Sequence, residues 1–160
     1  MYPSKYRTNA EQLVGTNGEL KKTVRPFLDL YSFVADNSYR GACHAVSAVL
    51  YVLYSEMNLQ PRICIGELGR DRTGFDHSWV EVSALIFDVA VAKPLEPKFD
   101  QSPVFMSRDL NTLTEPYWTY RTKSGLPDDP IAAEIKGGDF KFFPYMDEAP
   151  IHKNGLWYLV

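Results

Sequence analysis

The chain has 160 residues, of which 45% are apolar and 23% are charged, and its formal net charge is −3. A chain of this length and composition can bury a core without disulfides or metals, which excludes a largely disordered protein. Its basic residues form no block or stripe, so the charge pattern of a nucleic-acid-binding protein is missing. We therefore expect one globular domain over residues 1–160 with no nucleic-acid partner.

Two cysteines, Cys43 and Cys64, are too few for a disulfide framework, and we expect both to be free thiols in a reducing compartment. The first 16 residues lack the apolar run of a signal peptide. No stretch has the roughly 20 apolar residues that a membrane-spanning helix needs. The expected location is the cytoplasm, with no membrane partner.

Residues 1–36 are predicted to form an N-terminal helical segment. Leu20 to Ala35 has apolar residues at helical spacing, and Pro26 is expected to break this helix. After the turn-forming cluster at 36–38, a second helix is predicted to start close to Cys43 and to run to about Met57.

Alternating segments follow the second helix and predict strands at Arg62–Leu68, His77–Val82 and Leu85–Val91. Gly69–Asp76 is polar and charged and is predicted to be a loop, and the short link at 83–84 a hairpin turn. The C-terminal segment, residues 93–160, has aromatic runs at 117–120, 140–145 and 157–158 that predict short strands or packing segments. The fold class is predicted as α+β, with a catalytic core at about 37–92.

Three residues in this core have the chemistry of a thiol active site. Cys43 is predicted to lie in the first turn of a helix, where the helix dipole favours the thiolate and free N–H groups can bind an oxyanion. His77 opens a strand and can act as a general base. Asp88 lies within an apolar strand, where a carboxylate is costly unless it is paired, and it can orient the imidazole. Taken singly, Cys43 and His77 are more typical of a buried cysteine and a loop histidine. The three residues together, in this order and in these predicted elements, indicate a thiol active site more specifically than any one of them does.

These residues also carry a family resemblance. The segment Arg40-Gly41-Ala42-Cys43, the block HSWVEV at 77–82 and Phe87-Asp88-Val89-Ala90 resemble the core of transglutaminase-like proteins. The spacings are similar to those of small members such as the leader peptidases of lasso-peptide systems and, more distantly, to those of arylamine N-acetyltransferases. The match covers about a third of the chain. Asp88-Val89-Ala90 departs from the family's usual D-P-T. The helix exit at 58–62 lacks the family's usual glycine and has Asn58 and Gln60 instead.

The resemblance implies a papain-like fold in which a helix with the nucleophile packs on an antiparallel sheet. It implies Cys43 as nucleophile, His77 as base and Asp88 as orienting acid. Asn37 or Tyr39 could supply a further oxyanion donor, although turn capping is the more typical role of Asn37. No cofactor is expected, and the ligand spacings of a zinc site are absent.

The expected function is that of a thiol-dependent enzyme acting on amide or peptide bonds through an acyl-thioester on Cys43. A cysteine protease or amidohydrolase with a peptide or protein substrate is the first hypothesis. A transglutaminase or acyltransferase with the same triad is an alternative, because only the second reactant differs. A catalytically inactive binding or assembly module on the same scaffold is a third possibility.

Overall fold

The computed structural model describes residues 2–122 together with the backbone of 151–153 and 156–158. The chain divides into two compact units, Met1–Ser124 and Gly125–Val160. In the second unit, strands β7 (Ile151–Lys153) and β8 (Leu156–Tyr158) pair antiparallel. The predicted aromatic run at 140–145 lies outside the described residues. Among the helices that are described, none is long and apolar enough to cross a membrane.

The first unit is α+β, as predicted, and its chain begins with three α-helices. They are α1 (Ser4–Val14), α2 (Gly18–Asp36) and α3 (Cys43–Glu56). The side chain of Asn17 caps α2 by accepting hydrogen bonds from two first-turn N–H groups, each at 3.1 Å. The helix that was predicted to start close to Cys43 is confirmed, and it corresponds to α3.

The predicted break at Pro26 is wrong, because α2 continues through this residue. Proline removes one hydrogen bond from the helix. Phe27 and Leu28 follow it directly and are fully buried. Burial of two large apolar side chains typically contributes more than one lost backbone hydrogen bond costs, so tertiary packing keeps the helix intact.

A four-stranded antiparallel sheet packs against α3. Its strands are β1 (Arg62–Arg70), β2 (Thr73–Val82), β3 (Leu85–Phe87) and β6 (Thr119–Thr122), in the order β3-β2-β1-β6. The predicted loop at 69–76 is wrong, because β1 and β2 pair through nearly all of it and leave a tight turn. Polar residues are compatible with this extension because the end of the hairpin is exposed.

The turn between β2 and β3 is confirmed, with Ser83 and Ala84 both at positive φ. The predicted strand Leu85–Val91 is wrong beyond β3. Asp88 instead forms a single bridge with Val104, and the chain then enters a 3-10 turn at Ala90–Ala92. A carboxylate oxygen of Asp88 accepts a hydrogen bond from the N–H of Val91 at 3.1 Å. This local bond competes with strand pairing and bends the chain.

The helices and sheet enclose an aromatic core. Phe27 from α2, Tyr54 from α3 and Phe87 from β3 are fully buried, and so is Phe105 from the short strand β4 (Val104–Phe105). Their rings meet edge to face, with centroid separations from 5.0 to 6.4 Å. Strand β4 pairs with β5 (Arg108–Asp109) outside the main sheet. This packing holds the C-terminal part of α3 against β3.

Close approach of β6 to β1 depends on Gly66. A Cβ atom at this position would lie 2.0 Å from the carbonyl oxygen of Arg121 in β6.

We predict that Gly66→Ala lowers the free energy of unfolding by about 1–3 kcal/mol, the usual range for overpacking. Urea denaturation measures the change. Gly69→Ala on the same strand is the matched control, because its nearest neighbours are flexible side-chain atoms at 3.4 Å or more. Equal effects of the two substitutions would contradict the proposed clash.

Candidate active site

Cys43 is the first residue of α3 and is partly exposed. The turn before it depends on Gly41, whose φ of 68° lies in the left-handed region that favours glycine. The N–H of Gly41 donates to the carbonyl of Lys93 at 3.0 Å. A Cβ at Gly41 would also lie only 3.2 Å from the side chain of Leu95. Cys43 therefore sits at a helix start whose backbone path is set by contacts with residues 93–95.

An ion-pair cluster joins the turn before Cys43 to residues 93–100. Arg40 donates to both carboxylate oxygens of Asp100, at 2.6 and 2.9 Å, and to the carbonyl of Pro94 at 3.2 Å. Lys93 donates to the same carboxylate at 3.1 Å. These contacts lower the pKa of Asp100, chiefly through the hydrogen bond from Arg40. A bidentate arginine–carboxylate pair fixes geometry better than a single contact, so this pair defines the turn before Cys43.

His77 lies on β2 and is only 2% exposed. Its Nε2 is 2.8 Å from Oδ2 of Asp88. The thiol of Cys43 lies beside the same imidazole, and its interaction with the ring helps to raise the pKa of His77. Because Nε2 is occupied by Asp88, Nδ1 is the nitrogen left for the thiol. The edge of the ring meets Phe75 with centroids 5.8 Å apart, which limits its rotation.

Asp88 is 1% exposed and accepts three hydrogen bonds. Oδ1 accepts from the N–H of Val91, and Oδ2 accepts from His77 and from the hydroxyl of Tyr120, the latter two at 2.8 Å. A buried carboxylate is tolerated only when paired and hydrogen-bonded. The structure thus brings Cys43, His77 and Asp88 together, with a hydrogen bond between His77 and Asp88 and with the thiol of Cys43 beside the same imidazole.

The electrostatics of His77 follow from this arrangement. Burial by itself lowers the pKa of an imidazole, because it disfavours the charged form. The negative charge of Asp88 and its hydrogen bond act in the opposite direction, and contact with Cys43 adds to them. Together they outweigh burial and raise the pKa of His77 from 6.5 to about 10. The imidazolium is therefore the favoured form at neutral pH.

Tyr120 is the site residue that sequence reasoning missed. It lies on β6, and its ring packs edge to face against Trp79 with centroids 5.1 Å apart. The only sequence signal at Tyr120 is the aromatic run at 117–120, and that run does not indicate that the side chain reaches Asp88. Trp79 is fully buried and donates to Glu81 at 3.1 Å, so its role is structural.

His44, directly after Cys43, is hydrogen-bonded to a different residue. Its Nδ1 is hydrogen-bonded to the hydroxyl of Ser78, which is fully buried. Burial first, and then the charge of His77, lower the pKa of His44. The two histidines near Cys43 are therefore biased toward opposite protonation states at neutral pH.

The other sequence candidates lie apart from this set. Asn37 donates its side-chain amide to the carbonyl of Phe33 at 2.8 Å and so caps the end of α2. The ring of Tyr39 packs on Phe33, with centroids 5.9 Å apart. Cys64 is 4% exposed, and burial, followed by the charge of Glu81, raises the pKa of its thiol to about 12. A thiol in this state is unreactive at neutral pH.

Among the described residues, no three His, Cys, Asp or Glu side chains are arranged to hold a metal ion. No protein-family model, no curated protein and no solved structure matches this chain. The site is therefore interpreted from its own residues and geometry, and the transglutaminase-like resemblance stays a prediction.

The raised pKa of His77 predicts a pH-dependent stability. A histidine whose pKa is higher in the folded state contributes stability that is fully present below pH 6.5 and is lost as the pH rises toward about 10. Relative to His77→Gln, the unmodified chain should lose at least about 1 kcal/mol of unfolding free energy over this interval. Urea titrations at several pH values measure the difference. His44→Gln is the control and should leave the slope above pH 7 unchanged, because the pKa of His44 is lowered. Parallel curves for the unmodified chain and His77→Gln would contradict the prediction.

Proposed function

We propose that this protein is a thiol-dependent hydrolase of amide or peptide bonds, with Cys43 as nucleophile. The observation that carries the proposal is the hydrogen bond between His77 and Asp88, both almost fully buried, with the thiol of Cys43 interacting with the same imidazole. A structural cysteine needs no buried imidazolium beside it. A nucleophile, a base and an orienting carboxylate in sequence form the arrangement of a thiol active site.

Acylation begins with the thiolate of Cys43 and the imidazolium of His77. The sulfur attacks the carbonyl carbon of the substrate, and the carbonyl electron pair moves to oxygen. His77 then donates its Nδ1 proton to the leaving nitrogen as the carbon–nitrogen bond breaks. The products of this step are a free amine, a neutral imidazole and an acyl-thioester on Cys43. Asp88 holds the ring in the orientation that this transfer requires.

Deacylation uses the same groups in reverse. Neutral His77 removes a proton from water, and the resulting hydroxide attacks the thioester carbon. The carbon–sulfur bond breaks, a carboxylic acid leaves, and the thiolate–imidazolium pair is restored. Water is the second reactant we propose, because it is always available and no described feature marks a site for an amine.

The start of α3 can stabilise the oxyanion. The first N–H groups of a helix have no partners within the helix, and the N–H of Cys43 is the one attached to the nucleophile. The positive end of the helix dipole lies at the same place. Stabilisation of the developing negative charge there would add to the effect of the imidazolium.

The wider interpretation follows from this site. A helix with the nucleophile packed on an antiparallel sheet with the histidine is the arrangement of papain-like and transglutaminase-like enzymes, and we propose that the first unit belongs to this group. Partial exposure of Cys43 supports a peptide or protein substrate that approaches from outside. The two free thiols suit a reducing compartment such as the cytoplasm.

Thiol reactivity provides the first test. We predict that iodoacetamide labels Cys43 below pH 7, because His77 supports its thiolate. His77→Ala should slow the labelling at pH 6 by at least about tenfold, within the range that general base partners contribute. Mass spectrometry resolves Cys43 from Cys64, which serves as the internal control because it is buried. His44→Ala is the matched control and should retain fast labelling. A rate for Cys43 that rises only near pH 8.5, the ordinary thiol value, would contradict the proposal.

Turnover provides the second test. The unmodified chain is incubated with a library of peptides, and new termini are detected by mass spectrometry. Cys43→Ala should abolish cleavage while leaving the thermal unfolding midpoint nearly unchanged, because the residue is partly exposed. Cys64→Ala, corrected for any loss of stability, should keep the activity. Retained cleavage in Cys43→Ala would rule out the mechanism.

Added hydroxylamine separates the possible second reactants. It attacks an acyl-thioester and gives a hydroxamate, so its capture reports the intermediate. Acid products without added amine support hydrolysis. Products that appear only with an added amine would instead indicate a transglutaminase or acyltransferase. Fast labelling of Cys43 without any turnover would favour a binding module that retains the triad.

A further inference from the structure

We propose that Tyr120 is a positioning residue for this site, which holds the carboxylate of Asp88 and limits how strongly that carboxylate retains the protonated imidazole of His77. This inference rests on the proposed function, since it concerns the same three residues. It assigns a fourth side chain to them, from the edge strand of the sheet.

The geometry of the hydroxyl carries the inference. Tyr120 donates to Oδ2 of Asp88 at 2.8 Å, and Nε2 of His77 meets the same oxygen at 2.8 Å. Two donors therefore compete for the electron density of a single carboxylate oxygen. The other oxygen is held by the N–H of Val91. Tyr120 is consequently the one side-chain donor, besides His77, that the described residues direct at Asp88.

The competition has a defined electrostatic direction. A hydrogen bond from Tyr120 disperses negative charge from Oδ2, and in a buried site this dispersal is poorly screened. It stabilises the state with neutral His77 and charged Asp88 more than the state in which both are charged, because the first has a net negative charge. The phenol therefore eases loss of the proton from His77, which is the proton that the leaving amine must receive.

The backbone fixes the position of the phenol. Tyr120 pairs with Leu68 of β1, and its ring rests against Trp79. β6 approaches β1 closely at Gly66, where no Cβ intervenes. A merely space-filling aromatic residue would need the ring contact but not the hydroxyl. The hydroxyl on Asp88 is thus the feature that packing alone does not explain.

Several ionisable groups face His77 and must be considered together. Cys43 and His44 approach from α3, Asp88 from the segment after β3, and Tyr120 from β6 through Asp88. Burial and the charge of Asp88 raise the pKa of Tyr120 well above its ordinary value. The phenol therefore stays a donor throughout the range in which His77 titrates.

The test is Tyr120→Phe in the full chain, which keeps the ring and removes the hydroxyl. With histidine labelled by ¹⁵N, NMR reports the Nε2 proton of His77 and its titration. We expect the Nε2–H resonance to move downfield and the pKa of His77 to rise by roughly half a unit to one unit, the size expected for one lost hydrogen bond. A purely structural role would lower the unfolding midpoint and leave both signals in place.

Two further variants sharpen the test. Tyr117→Phe is the matched control, because the ring of Tyr117 contacts Arg70 and Trp118 and not Asp88. It should leave the His77 signals unchanged. Site-specific 3-fluorotyrosine at position 120 keeps the shape but strengthens the donor, so the pKa of His77 should fall. This variant keeps the test decisive if Tyr120→Phe does not fold.

The outcomes separate the two proposals. Unchanged His77 signals in Tyr120→Phe and in the fluorotyrosine chain would overturn the role of Tyr120, while fast labelling of Cys43 could still support the proposed function. Shifts in opposite directions would support the role of Tyr120 even if no substrate were cleaved, because NMR requires no turnover. Shifts in the same direction would overturn the inference.

Discussion

A buried carboxylate is the constraint around which this molecule is arranged. Asp88 has almost no exposure, and a lone charge in that position would cost several kcal/mol. It is tolerated because a backbone N–H, an imidazole and a phenol all donate to it. Those donors come from three separate parts of the chain. The fold must therefore bring the end of β3, the middle of β2 and the edge strand β6 to one point.

The sheet meets this requirement through its order and register. β2 lies between β3 and β1 in the sheet. The strand that carries His77 therefore has on one side the strand that leads to Asp88, and on the other side β1, which pairs with β6. The tight turn at Ser83 and Ala84 keeps β3 in register with β2. Strand alternation from Ile86 places Asp88 on the sheet face that also carries Glu81 and His77. The backbone bridge between Asp88 and Val104 then holds the carboxylate at this position.

The helix side of the site depends on different forces. α3 is held against the sheet by its buried apolar face and by the hydroxyl of Ser47, which donates to the carbonyl of Ser78 at 2.9 Å. Cys43 is the first residue of α3, and the turn before it is defined by Gly41 and by the ion pair between Arg40 and Asp100. Packing of α3 on the sheet and polar contacts at the preceding turn leave the thiol of Cys43 partly exposed while His77 is buried. The proposed function depends on this difference in exposure, because the thiol must meet a substrate from outside.

Local patterns in the sequence determined much of this protein. Helical spacing and the turn cluster at 36–38 indicated that α3 starts at Cys43, and alternation indicated the strands around His77, because these signals depend on neighbours a few residues away. A carboxylate within an apolar run marked Asp88 as needing a partner. Only the tertiary structure decided that α2 continues through Pro26, that 69–76 is a hairpin and that Tyr120 reaches Asp88. Each of these depends on contacts between residues far apart in the chain, and no local pattern contains the energy of such contacts.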